Sequence, residues 1–196
     1  MDANIDRRIA NLYWKIIDNL AYKIDKLADL YDDKISKEYE KERKEFDIKK
    51  DSNILHIGCG VYPITAITLA KNNGIKITSI DNNIRSIKLA NNLINKKELK
   101  EKIKIEQGNG TDYPVEEFDT IIVSGCASPK IKILEHIFGK AKPLTKIIVR
   151  ETHLASGSLI KFINSYDDVV LVKKRENRPS SFFKPFGWQS FYLTKK

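Results

Sequence analysis

The chain opens with apolar residues at three- and four-residue steps: Ile5, Ile9, Leu12, Tyr13, Ile16, Leu20, Ile24, Leu27 and Tyr31. This spacing predicts an amphipathic helix with one continuous apolar face. Asp2 suits its N-cap, Asp32-Asp33 is the expected break, and residues 34–46 (KISKEYEKERKEF) predict a second, highly charged helix. From residue 52 the pattern changes to short apolar runs alternating with helical ones. Strands are expected at 53–57 (NILHI), 75–80, 103–107, 119–124, 146–150, 168–173 and 188–193, with helices at 63–73, 84–95, 130–141 and 156–166. Pro63 falls in the first turn of its helix and Gly74 just past the end, where each residue is favoured.

Seven strands alternating with helices predict an α/β fold, a doubly wound and mostly parallel seven-stranded sheet. The last two strands have no clear helix between them, which predicts an antiparallel hairpin at one edge. The domain reading is an N-terminal helical extension over 1–50, acting as a lid or a dimer contact, and one globular domain over 51–196. Ligands of such sheets bind at the carboxyl ends of the strands, near the switch point.

Length and composition narrow the class. The 196 residues suit one domain with a short appendage, large enough to bury a core without disulfides. No run approaches the ~18 apolar residues of a membrane span, and the charged N-terminus is unlike a signal peptide. Two cysteines and three histidines, none at ligand spacing, argue against a protein-built metal centre. A cytoplasmic protein with no membrane partner is the expectation. Residues 1–50 carry 12 basic and 12 acidic side chains, so the net +9 resides in 51–196. That excess suits anionic small molecules or nucleic acid. A scattered, solvated lysine surface is the favoured account of it, and nucleic acid is not the favoured partner.

The candidate chemistry sits at four strand ends. His56-Ile57-Gly58-Cys59-Gly60 closes the first strand, where Gly58 and Gly60 allow a sharp turn and close approach of a ligand. Asp81, 21 residues after Gly60, ends the second, where a carboxylate can accept both hydroxyls of a ribose. Asn82 follows it. Gln107-Gly108-Asn109-Gly110 ends the third, with an amide able to meet an adenine amino group. Ser124-Gly125-Cys126 ends the fourth, where small residues leave room for a reactive group.

With these residues the chain resembles the class I S-adenosylmethionine (SAM)-dependent methyltransferase superfamily over about residues 52–195. The resemblance implies a Rossmann-like fold with SAM as cofactor: Gly58 and Gly60 at the methionine part, Asp81 at the ribose, Asn109 at adenine. A nicotinamide enzyme is disfavoured, because Pro63 stands where G-x-G-x-x-G has its third glycine. His56 replaces the usual acid of the first motif, and Tyr62 a usual glycine. The loop from Gly58 to Thr65 is instead similar to the G-x-G-x-x-P-x-T loop of nicotianamine synthases, which transfer the aminocarboxypropyl group of SAM. Ser124–Lys130 (SGCASPK) and Thr145–His153 (TKIIVRETH) are similar to the same family. There a tyrosine upstream of the first motif touches the SAM carboxylate, and Tyr39 is the matching candidate. The larger helical domain of those synthases has no counterpart here.

Each of these residues has a plainer role as well. His56 is expected to be a satisfied core histidine, and Cys126 a small packing residue beside the cofactor. His153 and Glu151, after the fifth strand, are candidates for a general base and equally for capping the next helix. Phe182, Phe183, Phe186 and Trp188 suit an aromatic slot or edge-strand core. Arg150 is the expected clamp for a small acceptor bearing a carboxylate or phosphate. Methyl transfer is the expected activity, with aminocarboxypropyl transfer and a non-catalytic SAM- or nucleic-acid-binding module as the alternatives. A homodimer through the N-terminal helices is a further expectation.

Overall fold

The computed structural model describes residues 3–71, 75–178 and 187–196. Seven strands form one sheet: β1 (Asn53–Ile57), β2 (Lys76–Asp81), β3 (Ile103–Gln107), β4 (Thr120–Val123), β5 (Lys146–Thr152), β6 (Val169–Asn177) and β7 (Trp188–Lys195). Their order is β3-β2-β1-β4-β5-β7-β6, with β7 antiparallel to both neighbours and the other contacts parallel. The chain leaves β1 in one direction through β2 and β3, then returns to its other side at β4. That reversal opens a crevice above the carboxyl ends of β1 and β4.

Side chains alternate across the sheet as period two requires. Ile54, Ile122 and Ile148 face one layer; Leu55, Ile121 and Ile147 face the other. The first layer holds α1 (Ala3–Lys23), α2 (Asp25–Glu45), α3 (Ile64–Ala70) and α4 (Ile84–Lys96). The second holds α5 (Lys130–Lys140) and α6 (Ser156–Ile163). β6 runs four residues past its expected end, so Arg175–Asn177 belongs to a strand and not to a loop. Asn177 is fully buried and donates from Nδ2 to Ser190 Oγ at 2.8 Å.

The N-terminal helices depart from expectation in two ways. The break falls at Ile24, whose backbone is extended (φ −126°, ψ 105°), and Asp32-Asp33 stays helical. Both aspartates have partners there: Asp32 accepts from the Tyr62 hydroxyl at 2.9 Å, and Asp33 pairs with Lys37 one turn on. The break folds α1 back so that the Tyr31 hydroxyl on α2 donates to Asp18 at 2.8 Å. The second departure concerns the buried face. Ile9, Leu12, Ile16, Leu20 and Ile24 are 38–60% exposed, while Ala10, Ile17 and Ala21 are buried. Small Ala10 and Ala21 let α1 approach closely, and the inward face carries Asn11, Trp14 and Asp18 over the sheet crevice.

A buried ion pair fixes this arrangement. Arg150 on β5 donates from Nη2 and Nε to Glu42 on α2 (2.7 and 3.1 Å), and from Nη1 to Thr65 on α3 at 2.8 Å. Glu42 also accepts from Trp188 Nε1 at 3.3 Å and from the Ser190 hydroxyl on β7. Both charged side chains are at most 4% exposed. Burial alone would lower the Arg150 pKa, but Glu42 and then Tyr39 raise it on balance.

Truncating Glu42 leaves the guanidinium buried without its counter-charge. Glu42→Ala is expected to cost about 3–5 kcal/mol, read from the shift in urea midpoint. The double replacement Glu42→Leu with Arg150→Met is expected to be more stable than Glu42→Ala alone.

Candidate active site: a roofed cavity at the strand ends

The carboxyl ends of the parallel strands form the floor of a cavity of about 420 Å³, within the range of small-molecule sites. After β1 the backbone turns through Gly58 (φ +83°) and Gly60 (φ +66°), a left-handed conformation that costs other residues energy. Gly58 and Cys59 both donate to Ile80 O, at 2.9 and 3.1 Å, so the turn is tied to β2. A Cβ at Gly58 would lie 3.1 Å from Ala127 Cβ, and one at Gly60 would lie 2.8 Å from Asp18 Oδ2. The loop therefore threads between the segment after β4 and the helix above.

Asp81 closes β2 with its carboxylate already oriented. One oxygen accepts from Gly60 N at 3.0 Å and the other from Asn83 N at 2.9 Å. Asn82 borders the cavity, and Asn83 caps α4 by accepting from Arg85 N at 2.9 Å. After β3, Asn109 Oδ1 accepts from Thr111 N at 3.2 Å, which holds the side chain at the cavity edge. A Cβ on Gly110 would collide with Ile57 Cγ2 at 2.6 Å.

After β4, His56 Nε2 and Ser124 Oγ share a hydrogen bond at 2.8 Å. Burial, and secondarily Arg150, push the His56 pKa down to about 3, so the ring is neutral. Its Nδ1 is buried with no hydrogen-bond partner among the described residues. Lys130, at the start of α5, is buried and donates to the carbonyls of Ser124, Gly125 (3.2 Å) and Arg150 (3.0 Å). One ammonium thus gathers the loops after β4 and along β5. Cys126 lies at the exposed rim, but the surrounding protein and then Asp18 hold its thiol up at about 12. It is protonated at neutral pH, which disfavours a nucleophilic role.

The roof comes from α1 and α2. Asn11, Trp14, Lys15, Asp18 and Asn19 line the cavity from α1, and Tyr31 and Tyr39 from α2. Desolvation raises the Asp18 pKa, the Tyr31 hydrogen bond partly opposes this, and Asp81 raises it further, to about 7. The Tyr39 ring lies 3.7 Å from the guanidinium carbon of Arg150, and burial pushes its hydroxyl up to about 12.

The expected cofactor residues Gly58, Gly60, Tyr62, Asp81, Asn82, Asn109, Gly110, Ser124, Gly125 and Cys126 all border this one cavity, as do Tyr39 and Arg150. Tyr62 has its hydroxyl on Asp32 and its ring against Tyr31 at 5.6 Å, joining the first-strand loop to α2. Arg150 is not an open anion clamp, because Glu42 neutralises it. The two base candidates are not among the described residues lining the cavity. His153 is exposed beyond β5, and Glu151 is buried with Oε1 accepting from Thr152 N at 2.9 Å. Phe182, Phe183 and Phe186 lie outside the described residues. Sequence reading missed Asp18, Trp14, Glu42 and Lys130. Asn11, Trp14 and Asp18 do fall at helical spacing, a signal masked by the stronger aliphatic stripe on the opposite face.

The sheet order and the cavity above it define a Rossmann-like methyltransferase fold, and solved structures agree. A SAM-dependent methyltransferase from Aquifex aeolicus superposes with a TM-score of 0.65 at 17% identity, over 80% of this chain and 89% of that one. The [4+2]-cyclase SpnF superposes with a TM-score of 0.66 at 13% identity, over 82% and 81%. TrmN from Thermus thermophilus gives 0.66 at 14% identity, over 81% of this chain and 48% of its own. At such identities the likeness speaks for the fold alone. No curated protein matches the sequence. The methyltransferase small domain model matches residues 43–142, half of the chain, and the protein belongs to that family.

Gly60→Ala tests the contact between floor and roof. The strained backbone and the approach to Asp18 are together expected to cost about 2–3 kcal/mol in chemical denaturation. In an Asp18→Ala background the cost is expected to fall to about 1–2 kcal/mol, the backbone part alone.

Proposed function

We propose that the protein is a SAM-dependent methyltransferase acting on a small-molecule acceptor, with the cofactor along the floor and the acceptor beneath the roof. The observation that carries this reading is Asp81: its carboxylate is fixed by two backbone N–H groups in the same cavity as Gly58, Gly60 and Asn109. The donor set suits the cofactor. The glycine turn leaves backbone at the cavity wall, Asp81 offers acceptors to a ribose diol, and Asn109 keeps its NH₂ group and an Oδ1 lone pair for a base edge. The orphaned Nδ1 of His56 is a further polar atom at the wall.

SAM, when bound, supplies an electrophilic methyl group. The chain's own part is to hold the acceptor in line at about 3 Å and to keep water out. Asp81, Asn109 and the glycine turn orient the cofactor; Trp14, Tyr31 and Tyr39 close the other side. Positioning supplies much of the rate, and no base is assigned to His153 or Glu151. The carboxylate- or phosphate-bearing acceptor expected from Arg150 loses its support once Glu42 has taken that charge.

Aminocarboxypropyl transfer is a second reading, favoured by one observation: Tyr39 borders the same cavity as the Gly58–Thr65 loop. The two readings differ in their sulfur product. Incubation with SAM and a metabolite extract is expected to release S-adenosylhomocysteine; methylthioadenosine in its place would select the second. Calorimetry is expected to give micromolar affinity for S-adenosylhomocysteine, roughly −8 kcal/mol. Asp81→Ala is expected to weaken it by about 1.5–3 kcal/mol per lost charged hydrogen bond, and unchanged affinity would reject the ribose role.

A homodimer is part of the same proposal. Ile9, Leu12, Ile16 and Leu20 form one exposed apolar line on the outer side of α1, continued by Ile24 at the break, and a second copy of that line is its simplest cover. Light scattering is expected to show a dimer that Leu12→Asp with Ile16→Asp converts to monomer without loss of S-adenosylhomocysteine binding. Among the described residues no helix is long and apolar enough to cross a membrane.

A further inference from the structure

The roof compartment brings aromatic rings from three elements around one carboxylate. Trp14 on α1 meets Trp188 on β7 edge-on at 5.9 Å between centroids and Tyr31 on α2 at 6.4 Å. Tyr39 meets Trp188 at 5.7 Å. All four rings border the cavity. Trp14 and Asp18 are four residues apart on α1 and share its inner face. The hydrogen bond from Tyr31 holds Asp18 beside the rings.

The charges around this compartment have one sign to spare. Arg150 is matched by Glu42, and Tyr39 covers its guanidinium. His56 is neutral. Lys15 is exposed. Asp18 and Asp81 remain, two carboxylates facing the same space. Burying a carboxylate among rings is unfavourable unless a cation joins it. Ring faces attract organic cations for the same electrostatic reason. A carboxylate or phosphate ligand would meet repulsion from Asp81 and, to the extent that it is ionised, from Asp18, whereas a cation would draw Asp18 into its charged form.

We propose that the compartment formed by Trp14, Tyr31, Tyr39, Trp188 and Asp18 recognises an organic ammonium group carried by the acceptor. The inference rests on reading the floor of the cavity as the SAM site. It reverses the sign of acceptor charge expected from sequence and gives the N-terminal helices a role in substrate choice.

The protein has two tryptophans, Trp14 and Trp188, and both border the cavity, so intrinsic fluorescence reports on it directly. The full chain is titrated with choline and with 3,3-dimethyl-1-butanol, its uncharged counterpart of the same shape, with and without saturating S-adenosylhomocysteine. Choline is expected to bind about tenfold more tightly than the alcohol in both conditions. Asp18→Asn, which keeps an acceptor for Tyr31, is expected to remove most of that preference. Equal binding of the two probes would overturn the proposal. So would loss of choline binding when S-adenosylhomocysteine is present, which would give the aromatic compartment to the cofactor's own tail. Choline preference without any S-adenosylhomocysteine binding would support the ammonium site and reject the cofactor reading. Nucleoside binding with no preference between the probes would do the reverse.

Discussion

The contact between Glu42 and Arg150 is the constraint on which the remaining geometry hangs. Neither charge can be left alone in the interior, because an unpaired buried ion costs several kcal/mol. Meeting that demand brings together α2, β5, α3 and β7 in one hydrogen-bonded cluster. α2 in turn presents Tyr31 and Tyr39 to the cavity and holds α1 through the Tyr31–Asp18 bond. The N-terminal helices are therefore an integral wall of the cavity. Arg175 on β6 adds a second tie, pairing with Glu38 at 2.8 Å and with Glu45 on the same helix.

Floor and roof are built from different materials. The floor uses backbone, glycine and short polar side chains at strand ends, as sheets of this order do at their switch point. The roof uses large rings and one carboxylate, set on helices outside the repeating strand–helix pattern, with Trp188 added from β7. Fold and chemistry are separable for that reason. SpnF, a [4+2]-cyclase, superposes on this chain as well as a methyltransferase does. Under the proposed reading the floor speaks for the cofactor and the roof for the acceptor.

The parts of the fold legible in sequence were those governed by local period. Most strand runs alternate or are continuously apolar, and β3 starts and stops where its residues say it should. Gly58, Gly60, Asp81 and Asn109 were legible because each sits at a strand end, where topology alone brings them together. What failed was anything requiring a choice between faces or partners. The aliphatic line on α1 outweighed the Asn11–Trp14–Asp18 face, although burial went to the latter side, where two alanines permit close packing. Asp32-Asp33 looked like a helix break because Tyr62, which holds Asp32, lies 30 residues away, although Lys37, one turn on from Asp33, was a local helix signal. Arg150 looked like a ligand clamp because Glu42 lies 108 residues away in sequence.

β7 is made after every other strand, yet it lies inside the sheet, between β5 and β6. Until it inserts, β5 has a bare edge and β6 has no neighbour at all. Glu42 meanwhile lacks both of its β7 donors, separated from it by 146 and 148 residues. Contacts of such range form late, because the chain must close a long loop before they reward it. During synthesis the N-terminal helices must then wait, loosely held, with their charged residue only partly satisfied. Until β7 is in place the chain carries an open sheet edge beside the aliphatic face of α1, a combination that favours self-association.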